Sequence, residues 1–219
     1  MKKLVILKIH DINTNKEMMH WGSKNKYGGD FVDGKPHGCS QPNGRGVFYH
    51  VAGDKYEDEM ELGNFKGDGI YMWPNGLKYV GQFTNSQPNG RGSYYFDNGH
   101  IYTGMVKDGV ICGTGKIKYA DGNVYEGVLD NGFPNGEGVY TTAEGNTYSG
   151  MFLKGEMHGL ITQKDANNIC TVETNYKHGV KNGQSKLRYA DGRTVTINYL
   201  NGELTGGVVR CICDGKTVQ

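Results

Sequence analysis

The stretch YTGMVKDGVICGTGKIKYADGNVYEG, residues 102–127, decides how this chain folds. It opens with Tyr102-Thr103-Gly104 and ends with Tyr125-Glu126-Gly127, so the same Tyr-x-Gly triplet returns after 23 residues. Glycine recurs every few residues between the two triplets. Because each glycine costs about 1 kcal/mol relative to alanine inside a helix, a helix is excluded here. The stretch predicts short strands separated by turns.

The triplet belongs to a repeat that extends well beyond this stretch. Glycines follow the repeated tyrosines at two, eleven, thirteen and twenty residues in most units. The same frame continues in weaker form from Tyr27 on one side and from Val172 and Val195 on the other. A fixed period of this kind indicates a repeat architecture, here of about eight units. The tyrosines that set the period are Tyr56, Tyr79, Tyr102, Tyr125 and Tyr148.

Each unit has the pattern of a β-hairpin. In the first segment a tyrosine, a glycine and an apolar residue alternate on one face, as in Tyr79, Gly81 and Phe83. In the second segment apolar residues again stand two apart, as in Tyr94 and Phe96. Alternation with a period of two, bounded by glycine turns, is typical of half-buried strands. Pairs that predict short turns are Asn75-Gly76, Asn98-Gly99, Asp121-Gly122 and Asp191-Gly192.

The strand glycines predict how the units pack. A glycine leaves a hollow in the side-chain stripe, which an aromatic ring from a neighbouring strand can cover. We therefore expect a ladder of Tyr, Phe and Trp along one face of the sheet. A single hairpin is marginal, so each unit must stack on the next. The sequence predicts an all-β fold: an elongated, single-layer antiparallel β-meander of about eight hairpin repeats, twisted and curved.

The first part of the chain departs from the repeat. Residues 1–26 have no repeat frame, and we expect them to form an N-terminal capping segment. Leu4–Ile9 predicts a strand and not a signal peptide, because Lys8 interrupts the apolar run. Farther on, the second half of the unit that opens at Tyr27 begins six residues later than the repeat requires. This insertion predicts a longer turn over residues 35–43.

The array itself occupies residues 27–219 and is uneven. Its best units span residues 56–159, and its degenerate units span residues 160–219. In the degenerate part, Ile161 and Asn168 replace glycines that the repeat requires. Atypical end units are expected in such an array, because they must cap it against solvent.

Composition excludes several classes of function. The 24 Lys and Arg balance the 23 Asp and Glu to a net charge of +1, and no basic stripe points to nucleic acid. The 5 cysteines are odd in number and scattered, which argues against a disulfide framework and suits a reducing cytosol. No apolar run approaches the roughly 20 residues of a membrane helix. We expect a cytoplasmic protein.

At these residues the sequence resembles the MORN (membrane occupation and recognition nexus) repeat family. Its pattern, Tyr-x-Gly-x-x-x-x-Gly-x-x-x-Gly-x-Gly, matches Tyr102-Thr103-Gly104 with Gly109, Gly113 and Gly115. The resemblance implies a strip of β-hairpins. It also implies a scaffolding role at cytoskeletal, ciliary or membrane-associated assemblies, where a partner helix or another copy is held. Family members that carry an enzyme carry it on a separate domain.

The aromatic face is the candidate binding site. A single-layer sheet has no second layer to cover that face, and a large exposed apolar surface usually marks an interaction site. We expect it to bind an amphipathic helix or an extended peptide of a partner protein. The candidate residues are Tyr71, Trp73, Tyr79, Phe83, Tyr94, Phe96, Tyr102, Tyr119, Tyr125, Tyr140 and Tyr148.

Two alternatives remain open from the sequence. One is a weak contact with acidic lipid, for which the candidate residues are Lys107, Lys116, Lys118 and Lys154. The other is self-association to a homodimer, in which Leu4–Ile9 or Val208–Cys213 pairs with a second copy. We favour instead that Leu4–Ile9 folds back over the first repeat, with Met18, Met19 and Trp21 beneath it.

Catalysis is not expected. The histidines are dispersed, and the chain has no H-E-x-x-H, G-x-S-x-G or Walker A motif. His37 and Cys39 fall together on the predicted long turn, where a solvent-exposed pair is far commoner than a catalytic dyad. Cys211-x-Cys213 lacks the spacing and the second ligand pair of a zinc site. We therefore predict no metal and no cofactor.

Overall fold

The fold is built from β-strands alone in the part of the chain that can be described. The computed structural model describes residues 9–10, 17–21, 25–29, 44–213 and 216–218. Within these ranges every regular element is a strand, and no helix is present that could cross a membrane. The chain divides into two compact units, Met1–Val110 and Ile111–Gln219. The predicted all-β class is confirmed.

In the first unit, each described strand pairs antiparallel with the one that follows it, from β1 to β9. The strands are β1 (Ile9–His10), β2 (Glu17–Trp21), β3 (Asn25–Gly29), β4 (Gly44–Tyr49), β5 (Lys55–Glu61), β6 (Asn64–Met72), β7 (Lys78–Thr84), β8 (Gln87–Tyr95) and β9 (Ile101–Lys107).

The second unit repeats this arrangement from β10 to β19, again with antiparallel pairing between successive strands. Strands β3 to β18 supply two strands to each of the eight predicted repeats, which confirms the hairpin unit. The strands are β10 (Val110–Lys118), β11 (Val124–Asp130), β12 (Phe133–Thr141), β13 (Thr147–Leu153), β14 (Glu156–Lys164), β15 (Cys170–Lys177), β16 (Val180–Tyr189), β17 (Thr194–Leu200), β18 (Glu203–Cys213) and β19 (Lys216–Val218).

The register brings the aromatic residues into one line, because residues directly opposite on paired strands share a face. In the first unit, the line runs through Tyr27, Phe48, Tyr56, Tyr71, Tyr79, Tyr94 and Tyr102. In the second unit, it runs through Ile117, Tyr125, Tyr140 and Tyr148 and then continues with Gln163, Val172 and Leu187. The predicted aromatic ladder is confirmed, and in the second unit the aromatic residues are followed by Gln163 and then by the aliphatic Val172 and Leu187.

A row of glycines runs beside the aromatic line, two residues along each strand. In the first unit, it consists of Gly69, Gly81, Gly92 and Gly104. In the second unit, it consists of Gly115, Gly127, Gly138 and Gly150. Beyond Gly150, its positions are taken by Ile161, Thr174, Ser185 and Ile197.

The degenerate repeats therefore fill their core in a different way. Ile161 is 1 % exposed, and the hydroxyls of Thr174 and Ser185 hydrogen bond to each other at 2.8 Å while both residues are buried. In these repeats, Val172 and Leu187 occupy the positions that tyrosines hold in the aromatic line of the regular repeats. Larger residues on the glycine row thus replace the volume that tyrosine rings supply in the regular repeats.

Two kinds of turn join the strands. Tight two-residue turns join β9 to β10 at Asp108-Gly109 and β11 to β12 at Asn131-Gly132, with positive φ at both residues, as type I′ turns require. The predicted turn at Asn98-Gly99 is present, but it lies within a longer loop. In that loop the Phe96 amide donates to the His100 carbonyl at 2.9 Å, and only Gly99 of the pair has positive φ.

Several predictions fall outside the described residues. These are most of the capping strand Leu4–Ile9, the long turn at residues 35–43 and the His37 and Cys39 pair; Ile9–His10 does form β1, which pairs with β2. Val208–Cys213 lies within β18, and its proposed pairing with a second copy assumes that it is the end strand of the sheet. That expectation is corrected, because Cys211–Cys213 pairs with β19.

Candidate partner-binding face

The ladder tyrosines are fixed by a contact that recurs in each regular repeat. The Tyr79 ring lies over Gly81 of its own strand and Gly92 of the next strand, and a Cβ at either glycine would collide with its hydroxyl. The hydroxyl donates to the Gln82 carbonyl, three residues on, at 3.1 Å. A register shift between Gly81 and Phe83 interrupts the ladder where this carbonyl lies. We predicted that the covering ring comes from a neighbouring strand, which is right for Gly92 and wrong for Gly81.

The same bond forms in three other repeats, at closely similar length. Each is a hydrogen bond from a tyrosine hydroxyl to the carbonyl three residues later: Tyr56 to Glu59 at 2.8 Å, Tyr102 to Met105 at 2.7 Å and Tyr125 to Val128 at 2.9 Å. All four tyrosines are 0 % exposed. Burial raises the pKa of Tyr79 and of Tyr125 to about 12, so these phenols stay neutral.

Five of the eleven candidate residues are therefore part of the interior. A partner cannot contact their rings without opening the sheet. These residues pack the interior of the aromatic face and are not part of its accessible surface. The five are Tyr79, Phe83, Tyr94, Tyr102 and Tyr125. The remaining six are partly exposed: Tyr71, Trp73 and Phe96 in the first unit, and Tyr119, Tyr140 and Tyr148 in the second. These six are the aromatic surface that a partner can reach.

In the first unit, the reachable rings form a row in which the buried Tyr94 lies between Trp73 and Phe96. Ring centroids are 4.5 Å apart between Tyr71 and Trp73, and 6.2 Å apart between Trp73 and the buried Tyr94. Tyr94 in turn lies 6.0 Å from Phe96. We call Tyr71, Trp73 and Phe96 the first aromatic row. Each ring in it is held by a neighbouring ring, which lowers the entropy that binding would otherwise remove.

Two polar residues, His50 and Asp54, lie at the start of this row. His50 occupies the loop position that Trp73 and Phe96 occupy in the next two repeats, each 23 residues later. Its Nδ1 lies 3.4 Å from the Asp54 carboxylate, which also accepts a hydrogen bond from Tyr71. Burial first, and Asp54 second, raise the pKa of Tyr71 to about 12. The alternation in the sequence places His50 in the repeat, two residues after Phe48, but neither His50 nor Asp54 was among the candidate residues.

The second unit carries a second aromatic row, formed by Tyr119, Tyr140 and Tyr148. Centroids are 6.1 Å apart between Tyr119 and Tyr140 and 6.4 Å apart between Tyr140 and Tyr148. Tyr148 is partly exposed, unlike the other tyrosines that set the period. Ile161 stands where the ring would need a glycine, and its side chain lies against Gly150. A single residue change in the repeat thus keeps Tyr148 out of the slot.

The opposite face of the sheet carries ion pairs. Lys116 pairs with Glu126 at 3.4 Å, and Lys78 lies over the Tyr95 ring at 4.2 Å. Of the other lysines considered for lipid, Lys107 and Lys118 are exposed on strands, and Lys154 is the first residue of a two-residue turn. In the described part of the chain, no three His, Cys, Asp or Glu side chains are grouped as a metal site would require.

Comparison with one solved structure, a TCP10 domain, shows a shared fold. The TCP10 domain of CPAP from Danio rerio aligns with a TM-score of 0.55 and 13% identity, over 93% of this chain and 94% of that chain. The SAS-4 (dCPAP) TCP domain of Drosophila melanogaster, solved with a proline-rich motif of Ana2 (dSTIL), aligns with a TM-score of 0.44 and 11% identity, over 87% and 88% of the two chains.

At the level of sequence, no curated protein matches this chain. A family model for the MORN repeat does match, at residues 27–39, 79–101, 102–124, 125–147 and 148–160. Each matched segment begins at a tyrosine of the repeat, and the rings of Tyr27, Tyr79 and Tyr125 cover glycines of the neighbouring strand. This chain carries MORN repeats.

Proposed function

We propose that this chain is a non-enzymatic scaffold that binds a partner protein on its aromatic rows. The observation that carries the proposal is the partial exposure of Tyr71, Trp73 and Phe96 on one face of a single-layer sheet. Aromatic rings that are already packed against each other supply large contact area at little entropic cost. Such rings are enriched at the centres of protein interfaces.

The partner is an amphipathic helix or an extended peptide, because both can lie along a row of rings. The setting we propose is cytoplasmic, at a cytoskeletal, ciliary or membrane-associated assembly, which is what MORN repeats imply. Binding on this face needs neither a metal nor a cofactor. An acidic-lipid contact has less support, since Lys116 is already paired with Glu126 and Lys154 lies on a turn.

Phe96 and Tyr95 provide a matched test of this proposal. They are adjacent in sequence, both are half-buried, and their rings lie on opposite faces, with Phe96 against Tyr94 and Tyr95 under Lys78. A random peptide display library is selected against the folded chain, and the selected peptides are then measured against two variants. We expect Phe96→Ala to weaken binding about tenfold and Tyr95→Ala to leave it unchanged.

The reverse pattern would contradict the proposal, and so would a selection that yields no binder to the folded chain. Far-UV circular dichroism and thermal unfolding of each variant show whether a loss of binding is a loss of fold. Tyr95→Ala also removes the ring beneath Lys78, so any general weakening of β8 is measured in the control.

A further inference from the structure

The loop that ends at Asp54 differs from other repeats in how it contacts the next loop. In three other repeats, an asparagine two residues before the repeated tyrosine accepts a hydrogen bond from a backbone amide of the next loop. These bonds run from Val51 to Asn25 at 2.9 Å, from Ala143 to Asn123 at 2.9 Å and from Ala166 to Asn146 at 3.2 Å. Asp54 occupies the same position before Tyr56, but the corresponding residue of the next loop is Pro74. Proline has no N–H group, so Asp54 cannot make this bond.

Two hydrogen-bond acceptors instead meet beside Tyr71. The Asp54 carboxylate accepts a hydrogen bond from the Tyr71 hydroxyl and lies 3.4 Å from Nδ1 of His50. That nitrogen accepts a hydrogen bond from the Ala52 amide at 3.2 Å, so in this geometry it carries no proton that it could donate to the carboxylate. A carboxylate has about four acceptor sites, of which Tyr71 fills one. A ligand with several N–H donors could bond to the carboxylate and to the imidazole together.

The chain supplies no lysine or arginine to Asp54 among the described residues. Lys55, the next residue, pairs with Glu57 at 2.8 Å, and Lys78 lies over the Tyr95 ring at 4.2 Å on the opposite face. The Asp54 side chain is 16% exposed, so a ligand can reach a carboxylate that is largely shielded from water. An ion pair formed there is stronger than one on an open surface, because less water screens it.

Aromatic rings border the same carboxylate. The centroids of the Tyr71 and Trp73 rings are 4.5 Å apart, and their planes are inclined by 53°. The two loops touch, because a Cβ on Gly53 would lie 3.3 Å from Cγ of Pro74. Tyrosine and tryptophan rings attract a cation that lies within about 6 Å of the ring centroid. Arginine suits this site best, since a planar guanidinium stacks on a ring while its N–H groups donate to a carboxylate.

We propose that Asp54, Tyr71 and Trp73 form a binding site for an arginine side chain of the partner. This inference rests on the proposed function and names the residue that the partner must supply at the start of the first aromatic row. The guanidinium donates to the Asp54 carboxylate and to Nδ1 of His50, and its plane lies against the aromatic rings. The site specifies a side chain of the partner, whichever conformation its backbone adopts.

Peptides selected from a random display library against the folded chain test the inference. Each arginine in a selected peptide is replaced by citrulline, which has nearly the same shape and no charge. We expect one such replacement to weaken binding about tenfold at a pH of about 8, where an ordinary imidazole is neutral. Asp54→Asn should weaken the arginine peptide to a similar extent and leave the citrulline peptide unchanged, which a double-mutant cycle measures.

Asp54→Asn has a matched control in Asp68→Asn. Asp68 is exposed on β6 and adjoins Gly69 of the glycine row, so its side chain lies on the opposite face, and both substitutions remove one negative charge. Asparagine is the residue that two other repeats carry at the position of Asp54, so the fold should accept it. Thermal unfolding of both variants checks this. If both variants weaken binding equally, only general charge attraction acts, and the arginine site is overturned.

The remaining outcomes separate the inference from the proposed function. Selected peptides without arginine, or peptides that Phe96→Ala weakens while citrulline and Asp54→Asn have no effect, would overturn the arginine site and leave the scaffold proposal standing. If neither Phe96→Ala nor Asp54→Asn weakens any selected peptide, the proposed function fails as well.

Discussion

The Tyr79 hydroxyl lies directly over Gly92 of the neighbouring strand, in the space that any other residue would fill with its Cβ. The same hydroxyl donates to the Gln82 carbonyl, so one ring both covers the glycine and satisfies a backbone acceptor. This relationship recurs in the other regular repeats, as between Tyr125 and Gly138. It explains why the second glycine of each Gly-x-Gly pair is needed although its backbone is extended.

Replacing Gly92 with alanine should destabilise the protein by about 1–3 kcal/mol, because the Tyr79 ring must move out of its slot. The lost hydroxyl bond adds to this cost. Gly206→Ala is the matched control, since a Cβ there meets nothing within 4 Å. Urea unfolding of both variants measures the difference, and equal stabilities would contradict the role given to Gly92.

The hydrogen bond of the tyrosine hydroxyl is predicted to contribute to folding stability separately from the packing of the ring. Tyr125→Phe keeps the ring but leaves the Val128 carbonyl without its bond, and should cost about 1 kcal/mol. Tyr148 has no such bond among the described residues, so Tyr148→Phe should change stability by less than about 0.5 kcal/mol. Thermal unfolding of the two variants makes the comparison; a larger loss for Tyr148→Phe would show that the hydroxyl bonds are not what distinguishes the repeats.

The strands and the face on which each aromatic residue lies were predictable from the sequence. The direction in which the tyrosine rings bend was not, for a physical reason. The period of 23 residues predicts the strands and the shared face of Tyr79 and Tyr94, because alternation fixes the face of each side chain. It does not show that the Tyr79 ring bends over its own strand, since this depends on the register shift after Gly81. Burial of the ring follows from that bend. The sequence therefore overestimated how much of the aromatic face a partner can reach.

The repeat pattern marks Ile161 as a departure from glycine, and this departure explains the exposure of Tyr148. Its departure from glycine was noted only as erosion, yet the structure places it against Gly150, in the slot that the Tyr148 ring would need. Similarly, His50 was not among the candidate residues, although it stands 23 residues before Trp73. In both cases the repeat position carried more information than the residue type.

Restoring glycine at position 161 should let Tyr148 enter its slot. We expect Ile161→Gly to lower the nitration of Tyr148 by tetranitromethane, measured by mass spectrometry, because the ring becomes buried like that of Tyr125. Ile161→Ala serves as the control: it removes most of the side chain but keeps a Cβ in the slot. If nitration of Tyr148 is the same in both variants, Ile161 is not what excludes the ring.

Alkaline pH should destabilise the fold through the buried tyrosines. Burial raises the pKa of Tyr125 to about 12, above the ordinary value of about 10, so the folded state holds the phenolic proton more tightly. The stability from this group is fully present below pH of about 10 and is lost as pH rises through the folded pKa. Tyr125→Phe should therefore reduce the slope of unfolding free energy against pH above that point. An unchanged slope would show that Tyr125 does not contribute to the alkaline loss.

The emission of Trp73 tests the central claim most directly, because this ring lies in the first aromatic row. The chain has two tryptophans, so Trp21→Phe leaves Trp73 as the single reporter. On titration with a selected peptide, we predict a shift of the emission to shorter wavelength, as the partly exposed indole is covered. Peptide binding that leaves the Trp73 emission unchanged, and that Tyr95→Ala abolishes, would contradict the account.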